Sequence, residues 1–167
     1  MIRKTVLNRL LFWLISLFWF LAGMVLAVFS VGPIRSFIRD LYQWSTGNAF
    51  LFYGKHIIIN LDFIYHLIFG LSAIVVWVNF RHLPFKMASI WLGYSVLTTL
   101  FILISIAFID AHFKVISCTA CDNGIVNLHL NSISYNLLME VGLIGGMIPI
   151  AFKLWKEKRA RSLQAGN

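Results

Sequence analysis

The run LLFWLISLFWFLAGMVLAVFSV, residues 10–31, carries no charged side chain over its whole length. An α-helix rises about 1.5 Å per residue, so roughly 20 apolar residues cross the ~30 Å hydrocarbon core of a bilayer. The run is therefore long enough to span. It follows Arg3, Lys4 and Arg9, as the apolar core of a secretory signal would. It exceeds the roughly 7–15 residues of such a core, and so reads as a retained helix.

Working outward, three more runs have the same character: residues 57–80, 87–109 and 133–152. Together they predict an all-α integral membrane protein, a four-transmembrane-helix bundle forming a single membrane domain over 1–167. The composition agrees: 60% of residues are hydrophobic and 12% charged, against about 25% charged in soluble domains. The net charge of +8 does not indicate nucleic-acid binding, because the basic residues flank the apolar runs instead of forming a soluble patch.

The distribution of those residues predicts orientation. The amino-terminal tail, the loop holding Arg81 and Lys86, and the tail holding Lys153, Lys156, Lys158, Arg159 and Arg161 carry ten Lys and Arg. The other two loops carry four: Arg35, Arg39, Lys55 and Lys114. Cytoplasmic loops are enriched in Lys and Arg, so both termini are expected in the cytoplasm. The cysteine-bearing loop is then periplasmic, in a bacterial inner membrane.

Between the first two spans, Gly32-Pro33 reads as a helix stop. Ile34, Phe37, Ile38 and Leu41 then recur at helical spacing, with Arg35, Arg39 and Gln43 on the other side. This predicts a short interfacial amphipathic helix over 34–44, with Tyr42 and Trp44 at headgroup level. Ser45-Thr46-Gly47-Asn48 is a turn signal, after which Ala49 to Tyr53 is expected to dip back towards lipid. The loop at 81–86 is tight enough to make the second and third spans antiparallel neighbours.

Ionisable groups inside spans are the main functional signal, since each costs roughly 2.5–3.5 kcal/mol on insertion scales. Asp62 and His66 share a face of the second span, and Asn136 and Glu140 share one of the fourth. By helical rise, Asp62 lies roughly 8 Å and Glu140 roughly 11 Å below the outer start of their spans. The four form one intramembrane polar layer, and Ser95, Thr98 and Ser105 add a small polar stripe on the third span. Three readings follow: mutual satisfaction across the bundle, contact with a partner's intramembrane segment, or a proton- or cation-handling site at Asp62, His66 and Glu140. Gly142 and Gly146 form a small-xxx-small surface for close helix packing.

Cys118 and Cys121 lie in the outer loop, 110–131. In an oxidising compartment they are expected to form a loop-closing disulfide. A redox-active pair is the second reading. A divalent metal site completed by His112 and His129 is the third.

Four spans, cytoplasmic termini, an interfacial helix and one Cys-x-x-Cys give a layout that resembles the DsbB and vitamin K epoxide reductase families. That resemblance implies a thiol–quinone oxidoreductase using Cys118 and Cys121, with a quinone as cofactor. The chain has only two cysteines, whereas those families relay electrons through a second pair. Asn60 to Gly70 and the Asn136–Gly142–Gly146 stretch are similar to VanZ-like membrane proteins, though the acidic motif of their third span has no counterpart. Small bacteriocin-immunity proteins share the size, charge and topology. The residues themselves favour a non-enzymatic accessory protein or subunit that binds another membrane protein, or a second copy of itself, within the lipid bilayer.

Overall fold

The computed structural model describes residues 2–54, 63–117 and 125–165. Its elements are α1 (Ile2–Ser45), β1 (Phe50–Tyr53), α2 (Phe63–Phe80), α3 (Phe85–Ile116), β2 (Val126–His129), a 3-10 turn at Leu130–Ser132, α4 (Tyr135–Gly146) and α5 (Ile148–Ala165). Among the described residues, four stretches are helical, long and apolar enough to cross a membrane: Leu7–Ser45, Phe63–Phe80, Phe85–Ile116 and Tyr135–Arg159.

α1 is one helix of 44 residues with Pro33 inside it. The expected stop at Gly32-Pro33 and the separate interfacial helix over 34–44 are therefore corrected. Proline removes one hydrogen bond and crowds the preceding turn, but packing on both sides outweighs this here. Ala27 before the proline and Ile38, Leu41 and Tyr42 after it are buried in one cluster. The helix ends where the turn signal stands: Thr46 Oγ1 donates to the Tyr42 carbonyl at 2.7 Å. Gly47 and Asn48 then take left-handed φ of 61° and 64°.

The segment after this turn does not re-enter the bundle; it forms a strand. β1 pairs in parallel with β2, with Phe50 opposite Val126 and Tyr53 opposite His129. Parallel strands need a long crossover, which here is the α2–α3 hairpin. The sheet therefore fixes the end of α1 and the start of α4 at one end of the molecule, with the 81–84 turn at the other. Phe50, Val126 and Leu128 are buried against the helices. Gly54 closes β1 with φ of 96°, and a Cβ there would lie 2.5 Å from His129 Nε2.

α3 runs to Ile116, two turns past the expected end at 109. Lys114 pairs with Asp110 one turn earlier at 2.5 Å, and Ala111 is fully buried, so this polar stretch is helical and not loop. Glycines at 145 and 146 with Pro149 divide the last span. Met147 donates to the Ile144 carbonyl at 3.1 Å, and Ala151 to the Met147 carbonyl at 3.0 Å, so the helix resumes as α5.

α1 packs on α2 and α3 on α4, with α1–α3 and α2–α4 contacts joining the two pairs. The short turn does not make α2 and α3 packed neighbours: a cavity of about 570 Å³ lies between them, walled also by α4 and α5. The close crossings use glycine. A Cβ on Gly23 would come within 2.8 Å of Ala73 Cβ and 3.0 Å of Gly70 Cα. The buried cluster, which includes Tyr42, Phe50, Tyr65, Ala107, Val126 and Leu138, sits towards the sheet end.

Candidate functional site

Polar side chains gather under the sheet, where α1, α3 and α4 meet. Arg35, Arg39 and Tyr42 are spaced four and three apart, so an uninterrupted α1 carries them on one stripe. Arg35 Nη2 donates to Asn136 Oδ1 on α4 at 3.1 Å, and its guanidinium lies 5.6 Å from the centre of the Tyr135 ring. Arg39 Nη2 reaches Ser36 Oγ on its own helix at 3.4 Å. The Nε atoms of both arginines are buried, with no hydrogen-bond partner among the described residues. Among the described residues, neither arginine has a carboxylate within ion-pair distance; Lys114 pairs with Asp110 and Lys153 with Glu157.

Beside this pair, the Tyr42 hydroxyl donates to Asp110 Oδ2, which also accepts from Lys114. One carboxylate thus ties α1 to α3 while its charge is met within α3. Trp44 packs on Phe108 with ring centres 5.3 Å apart, which strengthens the same junction. Gln43 Nε2 donates to the Phe50 carbonyl at 2.6 Å, coupling α1 to the first strand.

On the other side of the bundle, Tyr65 is buried and its hydroxyl hydrogen-bonds Ser30 Oγ at 2.8 Å. His66 is also buried, its ring edge-on to Tyr65 at 5.8 Å. α2, which carries His66, packs on α4, which carries Asn136 and a half-buried Glu140 one turn further on. Asp62 lies outside the described residues. Ser105 Oγ turns back to the Phe101 carbonyl at 2.8 Å and is spent on its own helix.

Gly142 and Gly146 face α3. A Cβ on Gly146 would overlap Thr99 and lie 3.2 Å from the Ser95 carbonyl, whereas one on Gly142 would meet Leu103 Cβ at an ordinary 3.6 Å. A Cβ on Gly145 would meet the tip of the Ile102 side chain, whose other atoms lie 3.5 Å or more away.

Cys118 and Cys121 lie outside the described residues. Their proposed companions are separately engaged: His112 Nδ1 is 2.8 Å from the Phe108 carbonyl on α3. His129 Nδ1 accepts from the Asn131 amide at 3.1 Å, and its ring stands edge-on to Tyr53. Among the described residues, no three His, Cys, Asp or Glu side chains converge as metal ligands would.

Sequence reasoning placed Arg35 and Arg39 on the water side of a surface helix and Asp110 and Lys114 in a loop. Two signals pointed the other way: the stripe of Arg35, Arg39 and Tyr42, and the four-residue spacing of Asp110 and Lys114.

No protein-family model matches the chain, and neither a curated protein nor a solved structure does. The likenesses to membrane thiol oxidoreductases and VanZ-like proteins therefore rest on layout and short motifs alone.

Proposed function

We propose that this chain is a small polytopic membrane protein, a single domain of four spans, that acts as an accessory subunit by binding another membrane protein. Its helices support a bilayer setting: large apolar side chains such as Trp13, Phe18, Phe29 and Phe101 are two-thirds exposed or more. The fold supports the topology. Ten of the fourteen Lys and Arg fall in the two tails and the 81–86 loop, which are all at the end away from the sheet. The positive-inside rule then gives cytoplasmic termini and a sheet on the periplasmic side of a bacterial inner membrane. A Cys118–Cys121 disulfide in the periplasmic loop belongs to this reading.

The observation that carries partner binding is the arginine pair. Among the described residues, Arg35 and Arg39 hold two permanent charges in the bundle wall with an amide and a hydroxyl as their hydrogen-bond partners. Guanidinium groups bind carboxylates through paired N–H donors, so an acidic side chain on a neighbouring subunit would complete the site. The test is purification from the native membrane in mild detergent, beside an Arg35→Gln/Arg39→Gln variant. The reading expects a stoichiometric partner that the variant loses while keeping its helical circular dichroism. A monomer that purifies alone, or a partner retained by the variant, overturns it.

A further inference from the structure

The cavity between α2 and α3 lies at the opposite end from the arginine pair, and its chemistry differs. Its walls are almost wholly apolar, with Trp19, Phe69, Val76, Val96 and Leu143 among them, and Arg81 lies at its rim. At about 570 Å³ it is within the ~300–1,000 Å³ typical of small-molecule sites. Arg81 stacks on Phe12 and Trp77, its guanidinium carbon 5.2 and 5.3 Å from the ring centres. Stacking orients the guanidinium plane and leaves its in-plane N–H donors for an anion.

We propose that this cavity holds an acyl chain of one anionic phospholipid, with the lipid phosphate on Arg81. Two observations select that occupant. First, α2 and α3 leave the turn at 81–84 without packing together, so the apolar space is built into the hairpin and a hydrocarbon chain matches its walls. Second, the surrounding end of the molecule is strongly basic: Arg9, Arg81, Lys86, Lys156, Lys158 and Arg159 stand there, and Glu157 is already paired with Lys153 at 2.8 Å. Basic pockets between spans at the cytoplasmic face are suited to anionic headgroups.

The full chain, purified from vesicles of equal phosphatidylglycerol and phosphatidylcholine, is examined by native mass spectrometry. One phosphatidylglycerol per chain is expected to survive detergent exchange. Arg81→Gln should lower the preference for phosphatidylglycerol about five-fold, as loss of one basic contact implies. Val96→Trp, which fills the space, should abolish retention; Leu100→Trp serves if that variant does not fold. Equal retention of the two lipids by the wild type, or undiminished retention in a folded cavity-filling variant, overturns the proposal. So does a bound quinone or a second copy of the chain in place of the lipid. Arg35 and Arg39 take no part, so loss of the protein partner and loss of the lipid are separate results.

Discussion

Tyr42 of α1 donates its hydroxyl proton to Asp110 of α3, a side-chain bridge between residues 68 apart in sequence. Lys114 Nζ donates to the same carboxylate oxygen and sits 5.9 Å from the centre of the Tyr42 ring. The bond joins the two helical pairs at the sheet end. Tyr42 is fully buried, so Tyr42→Phe should strip Asp110 of one of its two donors, break the tie between α1 and α3, and destabilise the fold by about 1 kcal/mol. Thermal unfolding in detergent measures it. Lys114→Met should act in the same direction, and the double variant should be non-additive because only it strips the carboxylate of both donors.

The glycines of α4 are not equivalent. Gly142→Ala places its methyl at van der Waals distance from Leu103 and should change stability by under ~1 kcal/mol, since alanine also favours the helix. Gly146→Ala drives a methyl into Thr99 and towards the rigid Ser95 carbonyl, an overpacking that costs typically ~1–3 kcal/mol. Adding Thr99→Ala to Gly146→Ala should restore part of the loss. Equal melting temperatures for the two single variants would contradict the α3–α4 crossing described above.

Much of the fold is legible in the sequence because a bilayer-length apolar run is a long, redundant signal. Local punctuation is weaker. Gly32-Pro33 reads as a stop, yet the chain continues because Ala27 and Ile38, on either side of it, are buried in one cluster. Such contacts are visible only once the helices are packed. The parallel pairing of Phe50–Tyr53 with Val126–His129 joins two four-residue runs separated by a whole helical hairpin, and neither run shows a pattern that names the other. Around the site, Asn136 is legible as an intramembrane amide, but its partner is not. Arg35 becomes available to it only if α1 passes through the proline.

That continuity is itself testable. Proline in a helix interior is disfavoured by up to ~3 kcal/mol relative to alanine, and nothing lies within 4 Å of a Cβ added at the preceding Gly32. If α1 is unbroken, Pro33→Ala should leave stability unchanged or raise it, and Gly32→Ala should do likewise. If residues 34–44 were a separate surface helix, the proline variant would straighten a required turn. It would then lower the melting temperature and break the Tyr42–Asp110 bond, so that Tyr42→Phe became silent in that background.

The cysteine loop supplies the last prediction. Ser117 ends α3 and β2 starts at Val126, so the chain must return from the end of α3 to the edge of β1 through the segment holding Cys118 and Cys121. A short loop-closing disulfide there would restrict the unfolded chain and favour the register of Phe50 with Val126. Whole cells treated with a membrane-impermeant maleimide should show no labelling of the wild type until a reductant is added. Cys118→Ser should expose Cys121 to the reagent and lower the melting temperature by a few degrees while leaving partner recovery intact. A thiol–quinone exchange role makes the opposite demand: the pair would cycle between labelled and protected forms as the quinone pool is reduced or oxidised, and Cys118→Ser would abolish activity without altering stability. Labelling at two quinone redox states therefore separates a fixed staple from a working redox pair.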